Sequence, residues 1–283
     1  MGEHAATRIL IRLALEEDIG KGDLTALAVP PEVRATAKLI AKQELVLSGL
    51  PLVELVLDVF GGDIRFSLAD GVADGQEIPK GQTILTFEGR ARDLLTVERT
   101  VLNFLQHTSG VATQARVYKK ALQGAKLQVL DTRKTQPGLR FWEKKAVRDG
   151  GLHNHRQRLD DGVLLKENHI RASGSITLAM ANLQGKISAE IPVEVEVTSW
   201  EEALEAIHCG VRRLLLDNFT PAQLKELVPR LRDQQAGIFL EASGGIHLGN
   251  LVEYAGTGVD AVSIGALTHS VKAVDLSLLF EFQ

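Results

Sequence analysis

The residues best equipped for chemistry lie between Asp131 and His169, in DTRKTQPGLRFWEKKAVRDGGLHNHRQRLDDGVLLKENH. This one segment holds Arg133, Lys134, His153, His155, Arg156 and Lys166 among its cations, although the whole chain carries a net charge of -4. A solvated helix collects cations too. It does not place DTRKT directly after the apolar run LQVL, nor Lys166 directly after Val163-Leu164-Leu165. Cations at the ends of buried strands face a site, and the chemistry they suit is the binding of a substrate with several negative charges.

Glu196 and Asp217 end two later apolar runs, VEVEV and RLLLD, so their carboxylates are expected side by side. They can hold Mg²⁺ through water, accept hydrogen bonds from sugar hydroxyls, or stabilise developing positive charge. Glu194, two residues earlier on the same face, sits deeper and ranks below Glu196. The turns Ser243-Gly244-Gly245 and Ser263-Ile264-Gly265-Ala266 follow the last two runs and present backbone N–H groups to phosphate. Lys166 admits two readings, a Schiff-base nucleophile of a lyase or aldolase and an anion-binding ammonium; the many neighbouring cations favour the second. His153 and His155 have the look of a metal pair, but no compact acidic or cysteine set accompanies them, so hydrogen bonding to an anion is preferred to zinc.

The elements that must position these residues alternate strand and helix from residue 127 onward. Six apolar runs (LQVL, VLLK, VEVEV, RLLLD, IFLEAS, AVSIG) are separated by enough chain for a crossover helix each. Ser199-Trp200-Glu201-Glu202 has capping-box spacing, and Thr220-Pro221 places proline at a first helical position. This is an α/β pattern with a parallel sheet, expected to form an incomplete, open barrel, with a doubly wound sheet as the alternative.

The first half has another rhythm. Residues 7–19 read as an amphipathic helix with Ile9, Leu10 and Leu13 on one side, and residues 35–88 as short strands broken by Gly and Asp turns. GVADGQEIPKGQTILTFEG resembles a biotinyl or lipoyl carrier hairpin but lacks the modified lysine's turn, so Lys80 is a plain turn residue. That half alone would suit a non-catalytic binding or carrier protein. Two helices are expected next, one capped by Asp93 and one from Val111 to Leu122, divided at Gly110.

The acidic balance argues against nucleic-acid partners. Single Cys209, read as a small buried hydrophobe, cannot form an internal disulfide. With neither a signal-length apolar segment nor a membrane-spanning run, a soluble, cytoplasmic protein without membrane partners is expected.

The motifs together resemble the quinolinate phosphoribosyltransferases. DTRKT-x-PGLR, EK-x-AVR-x-GG, HNHR, LLKENHI, EVEV, LLLDN, EASGGI and SIGALTHS occur in order, and GKGDLT and VERTVLNFLQHTSGVAT extend the likeness over nearly the whole chain. A related group associated with molybdenum transport shares DTRKT but typically lacks HNHR. The resemblance implies an N-terminal α/β sandwich (residues 1–110) and an incomplete α/β barrel (111–269), with residues 270–283 packed back on the sandwich, Val274 to Phe280 as a last helix. It implies conversion of quinolinate and 5-phosphoribosyl-1-pyrophosphate into nicotinate mononucleotide, pyrophosphate and CO₂, with Mg²⁺ as cofactor. Arg133, His155, Arg156 and Lys166 match positions around the pyridine dicarboxylate, with Thr132 beside them, and Lys134 one near the donor. Glu196 and Asp217 match carboxylates at the ribose and metal, and Ser243, Gly244, Gly245, Ser263 and Gly265 the phosphate cradle. Lys134, Lys166, Glu196 and Asp217 are the expected catalytic group. Arg99 matches an arginine that reaches a partner subunit's site, which implies a homodimer at least.

Overall fold

Residues 3–283 are described by a computed structural model. In chain order the elements begin with α1 (Glu3–Ile19), β1 (Arg34–Ala41), β2 (Leu45–Val46), α2 (Leu50–Phe60), β3 (Ile64–Leu68), β4 (Glu77–Ile78), β5 (Thr83–Arg90) and α3 (Ala91–Ala121). There follow β6 (Gln128–Leu130), α4 (Arg140–Asp149), β7 (Val163–Leu165), α5 (Glu167–Ser173), α6 (Ile176–Leu183), β8 (Val193–Val197) and α7 (Trp200–His208). The chain ends with β9 (Arg213–Asp217), α8 (Pro221–Gln234), β10 (Phe239–Ser243), α9 (Leu251–Ala255), β11 (Ala261–Ser263), α10 (Ala266–His269) and β12 (Leu276–Phe282). Two compact units result. The first comprises the chain up to Arg116, Thr135–Gly151 and Leu267–Gln283; the second comprises Val117–Lys134 and Leu152–Ala266.

In the first unit an antiparallel sheet runs β12-β1-β5-β3. Alternate residues of β1 (Ala35, Ala37, Leu39, Ala41) are buried in a core that also takes Leu52, Val53 and Val56 of α2. The first helix turns a different face inward from the one expected: Ile11 and Leu15 are buried, while Ile9 and Leu13 are exposed. Helical geometry allows either stripe, and Thr7, which accepts a hydrogen bond from Trp142 Nε1 at 3.0 Å, belongs to the one chosen. The turn after β4 carries an exposed Lys80, as a plain turn residue would be.

Two expectations fail here for clear reasons. The two helices divided at Gly110 are one helix, α3, with Gly110 inside it. A Cβ there would stand 2.5 Å from the Lys272 carbonyl oxygen, so the glycine serves a close chain approach rather than a break. Asp93 lies in the first turn, accepting from Asp63 N–H and Arg90 Nε, rather than capping. The expected last helix, Val274 to Phe280, is largely strand: β12 pairs with β1 from Ala35↔Phe282 to Ala41↔Leu276. Pairing satisfies the backbone groups that β1 would otherwise leave open along its edge.

In the second unit all six expected strands form one parallel sheet, in the order β6-β11-β10-β9-β8-β7. Period-two alternation splits each strand. Val195, Val197, Leu214, Leu216, Leu240 and Ala242 point to one face and are entirely buried. The register (Glu194↔Arg213, Arg213↔Phe239, Glu241↔Ala261) puts Glu194, Glu196, Arg213, Leu215, Asp217, Glu241 and Ser243 on the other. At Ser199 only half of the expected box forms: Ser199 Oγ accepts from Glu202 N–H, while the Glu202 carboxylate accepts from Thr198 N–H. Pro221 opens α8 as expected, and Thr220 there pairs reciprocally with Gln223. Among the described residues, no helix is long and apolar enough to cross a membrane.

Candidate active site

The polar face of that sheet opens at the C-terminal strand ends into a cavity of about 270 Å³. Thr132, Arg133 and Lys134 follow β6, Lys166 follows β7, Ser243 ends β10 and Ser263 ends β11; with His155, Arg156 and Glu241 they line it. Every lining residue belongs to the second unit. Strand-end cations expected from the sequence are therefore gathered on one cavity. Arg99 is exposed on α3, in the first unit, and is not among the lining residues.

The HNHR segment is hydrogen-bonded to edge strand β6 and to the residue just before the other edge strand, β7. His153 makes a parallel bridge to Leu130, donating to the Val129 carbonyl and accepting from Asp131 N–H. Fully buried Asp131 accepts the His155 N–H at 2.9 Å and the Asn154 side-chain amide. Arg156 Nη1 donates to the Gly162 carbonyl, just before β7, at 2.9 Å. The basic motif thus ties together the two end strands of an unclosed barrel. Burial, then the charge of Arg133, pull the Arg156 guanidinium below its ordinary value, while Asp161 and Glu194 oppose them. Two guanidiniums that disfavour one another are matched to an arriving anion.

Lys166 follows β7 and is the N-cap of α5. Its backbone N–H donates to His169 Nδ1 at 3.0 Å, and the His169 N–H returns to the Lys166 carbonyl at 2.8 Å, which fixes the turn. Its ammonium lies 3.9 Å from Glu196 Oε2, and Glu196 Oε1 accepts the Glu167 N–H at 3.2 Å. Asp217 ends the neighbouring strand β9, two places beyond the register partner of Glu196, and accepts from Asn218 Nδ2 at 2.6 Å. Gly244 has φ +98 and leaves no room for a Cβ, which would lie 2.1 Å from Asn218 Oδ1. That glycine is required by the packing of two turns, while Gly245, φ +62, is open to solvent. Glu196 and Asp217 are not among the residues that line the cavity; Glu196 stands beside its Lys166, and the two carboxylates offer hard oxygens, a donor set that fits Mg²⁺ with water and substrate oxygens completing its shell.

Deeper inside, the site departs from expectation. His155 does have acidic company: its Nε2 lies 3.0 Å from Glu194 Oε2 and 3.5 Å from Glu241 Oε2. Among the described residues, these three are the one group whose potential ligand atoms all lie within 4.8 Å of one another. His153 is exposed and stands outside it. Sequence reasoning ranked Glu194 low and passed over Glu241, Asp131 and Arg213. The available signal is a charge two residues before the polar residue at the C-terminal end of the same face, Glu241 before Ser243 in IFLEAS as Glu194 before Glu196 in VEVEV. Cys209 is partly exposed at the end of α7 rather than buried, with Sγ 3.6 Å from Thr177 Oγ1.

The chain matches the family descriptions "Quinolinate phosphoribosyl transferase, N-terminal domain" over residues 23–109 and "Quinolinate phosphoribosyl transferase, C-terminal domain" over residues 111–279. It is 42% identical over 279 residues to the carboxylating nicotinate-nucleotide pyrophosphorylase of Mycobacterium leprae, covering 98% of each chain. A probable protein of the same name from Bacillus subtilis is 38% identical, covering 97% of this chain and 93% of the relative. Among solved structures, the nicotinate-nucleotide pyrophosphorylase from Francisella tularensis superposes with a TM-score of 0.91 at 38% identity, over 98% of this chain and 97% of that one.

Proposed function

The chain belongs to the quinolinate phosphoribosyltransferase family, and proceeding from that membership we propose that it converts quinolinate and 5-phosphoribosyl-1-pyrophosphate into nicotinate mononucleotide, pyrophosphate and CO₂. This is a step of NAD biosynthesis. The observation that carries the reading is the cavity itself, where Arg133, Arg156 and Lys166 converge from separate elements with Lys134 at its rim. Quinolinate brings two carboxylates and the donor brings phosphate and pyrophosphate, so both need such compensation. Arginine forks suit planar carboxylates, and lysine supplies a compact charge.

In the reaction the pyridine nitrogen forms a bond to ribose C1 as the bond to pyrophosphate breaks, through a sugar with cationic character. Glu196 and Asp217 face that charge, and the turns at Ser243-Gly244-Gly245 and Ser263-Ile264-Gly265 cradle phosphate. The carboxylate beside the quaternised nitrogen then leaves as CO₂, its bonding pair stays on the ring carbon, and a proton takes its place. Holding both substrates in line supplies much of the acceleration. Glu196 and Asp217 would hold Mg²⁺, in part through water, and the ion neutralises the departing pyrophosphate when bound. No covalent enzyme intermediate is needed, so Lys166 acts as an anion-binding cation rather than as a lyase nucleophile. The protein works as a cytoplasmic homodimer, with Arg99 supplied to the partner's site.

The test is an assay for nicotinate mononucleotide from both substrates, with Mg²⁺ and with a chelator. Product that needs both substrates and the ion is expected; no product from quinolinate under any condition would refute the reading.

A further inference from the structure

The inner face of the sheet carries charges that the reaction itself does not use. Glu241 is entirely buried and Glu194 nearly so, and both face His155, from β10 and β8. Among the described residues, neither carboxylate oxygen of Glu241 has a hydrogen-bond partner, and Oε1 of Glu194 has none. On its other side, His155 Nδ1 accepts the Arg156 backbone N–H at 2.8 Å. A ring nitrogen that accepts carries no proton, so the proton of the neutral imidazole sits on Nε2, aimed at the two carboxyls. One histidine and two glutamates also make a ligand set for a divalent ion. Arg213 already acts on Glu241, and Arg156 on Glu194, so an ion would add to cationic charge rather than balance it.

We propose that Glu194 is a positioning residue of the quinolinate subsite: it accepts the Nε2–H of His155 at 3.0 Å, so that Nδ1 fixes the Arg156 backbone and with it the guanidinium that meets a substrate carboxylate. The proposal rests on the reading of that subsite given above. Its geometry is a chain of contacts from β8, through the imidazole, to a loop also held by Val129, Asp131, Asp161 and Gly162. The groups facing Glu241 are Glu194 from β8, His155, Arg213 from β9 and Ser263 from β11. Burial first, then Glu194, push its carboxyl up to about 7, while His155, Ser263 and Arg213 pull it back. Glu241 stands 3.5 Å from Nε2 and leaves that proton to Glu194.

Two variants test this. Glu194→Leu removes the acceptor, and Glu194→Gln keeps one in nearly the same volume. A loosened Arg156 should raise KM for quinolinate by about ten- to a hundred-fold, leave KM for the phosphoribosyl donor at its wild-type value, and be rescued in Glu194→Gln. Nitrogen-15 NMR of the wild-type protein should show His155 protonated at Nε2 with Nδ1 bare. A folded Glu194→Leu protein with unchanged quinolinate KM, or with both KM values raised equally, overturns the proposal. So does an Nδ1–H tautomer, which decides the matter even where the leucine variant does not fold. Stoichiometric metal carried by the wild type and lost in Glu194→Gln would overturn it in favour of an ion site. Wild-type turnover of quinolinate, established beforehand, keeps a failure of the functional reading separate from a failure of this one.

Discussion

The Lys166 ammonium stands 3.9 Å from the Glu196 carboxylate, joining the ends of neighbouring strands β7 and β8. This pair marks the boundary between two kinds of charge at the cavity mouth. Cations follow β6 and β7 and lie on the segment between them; carboxylates end β8 and β9. Lys166 is half exposed, 50%, and so lacks the desolvation on which lysine nucleophiles depend. A dicarboxylate fits one side of the boundary, and a sugar with cationic character the other.

Arg133 is the first residue to remove. Its loss deprives a substrate carboxylate of a charge-assisted partner, which is worth about 1.5–3 kcal/mol, or roughly ten- to a hundred-fold in affinity. Titration of Arg133→Ala with quinolinate and with donor should show that loss mainly for quinolinate. Equal weakening of both would remove Arg133 from the dicarboxylate subsite.

Arg99 tests whether sites are shared. Arg99→Ala and Lys166→Ala chains should each be nearly inactive alone, and activity should return after subunit exchange. Confirmed mixed dimers without recovery would place Arg99 outside the partner's site.

Gly110 tests the continuity of α3. Alanine in a helix gains about 1 kcal/mol over glycine by propensity, but its Cβ would meet the Lys272 carbonyl at 2.5 Å, and overpacking costs about 1–3 kcal/mol. Urea denaturation should show Gly110→Ala less stable than the wild type. A gain in stability would mean that the approach of residues 271–273 to α3 is loose.

Glu241 gives stability a pH dependence. Its carboxyl is raised from 4.5 to about 7 in the folded protein, so the fold binds the proton more tightly than the unfolded chain. That contribution is complete below the unfolded value and is lost as pH rises through the folded one. Calorimetry at about pH 5 and about pH 8 should show the wild type losing Tm relative to Glu241→Gln at the higher pH. A difference that does not change with pH would contradict the raised value.

What was legible in the sequence was whatever a local pattern fixes. The six parallel strands followed from apolar runs, and the strand-end positions of Lys166, Asp217 and Ser243 followed from the polar residue closing each run. What escaped depends on distant chain. Gly110 looks like a helix break until Lys272 is known to press against it. Val274 to Phe280 has no local preference that outweighs the open edge of β1. Helix α1 offers two apolar stripes, and Trp142, far along the chain, helps select one. The acidic partners of His155 come from β8 and β10, and no spacing within either strand reveals that they converge.

The most direct measurement uses quinolinate labelled in the carboxylate adjacent to the ring nitrogen. Labelled CO₂ should appear only when 5-phosphoribosyl-1-pyrophosphate is also present, in step with nicotinate mononucleotide, and nicotinate should be a far poorer acceptor. Release of CO₂ without the donor, or equal use of nicotinate, would contradict the account.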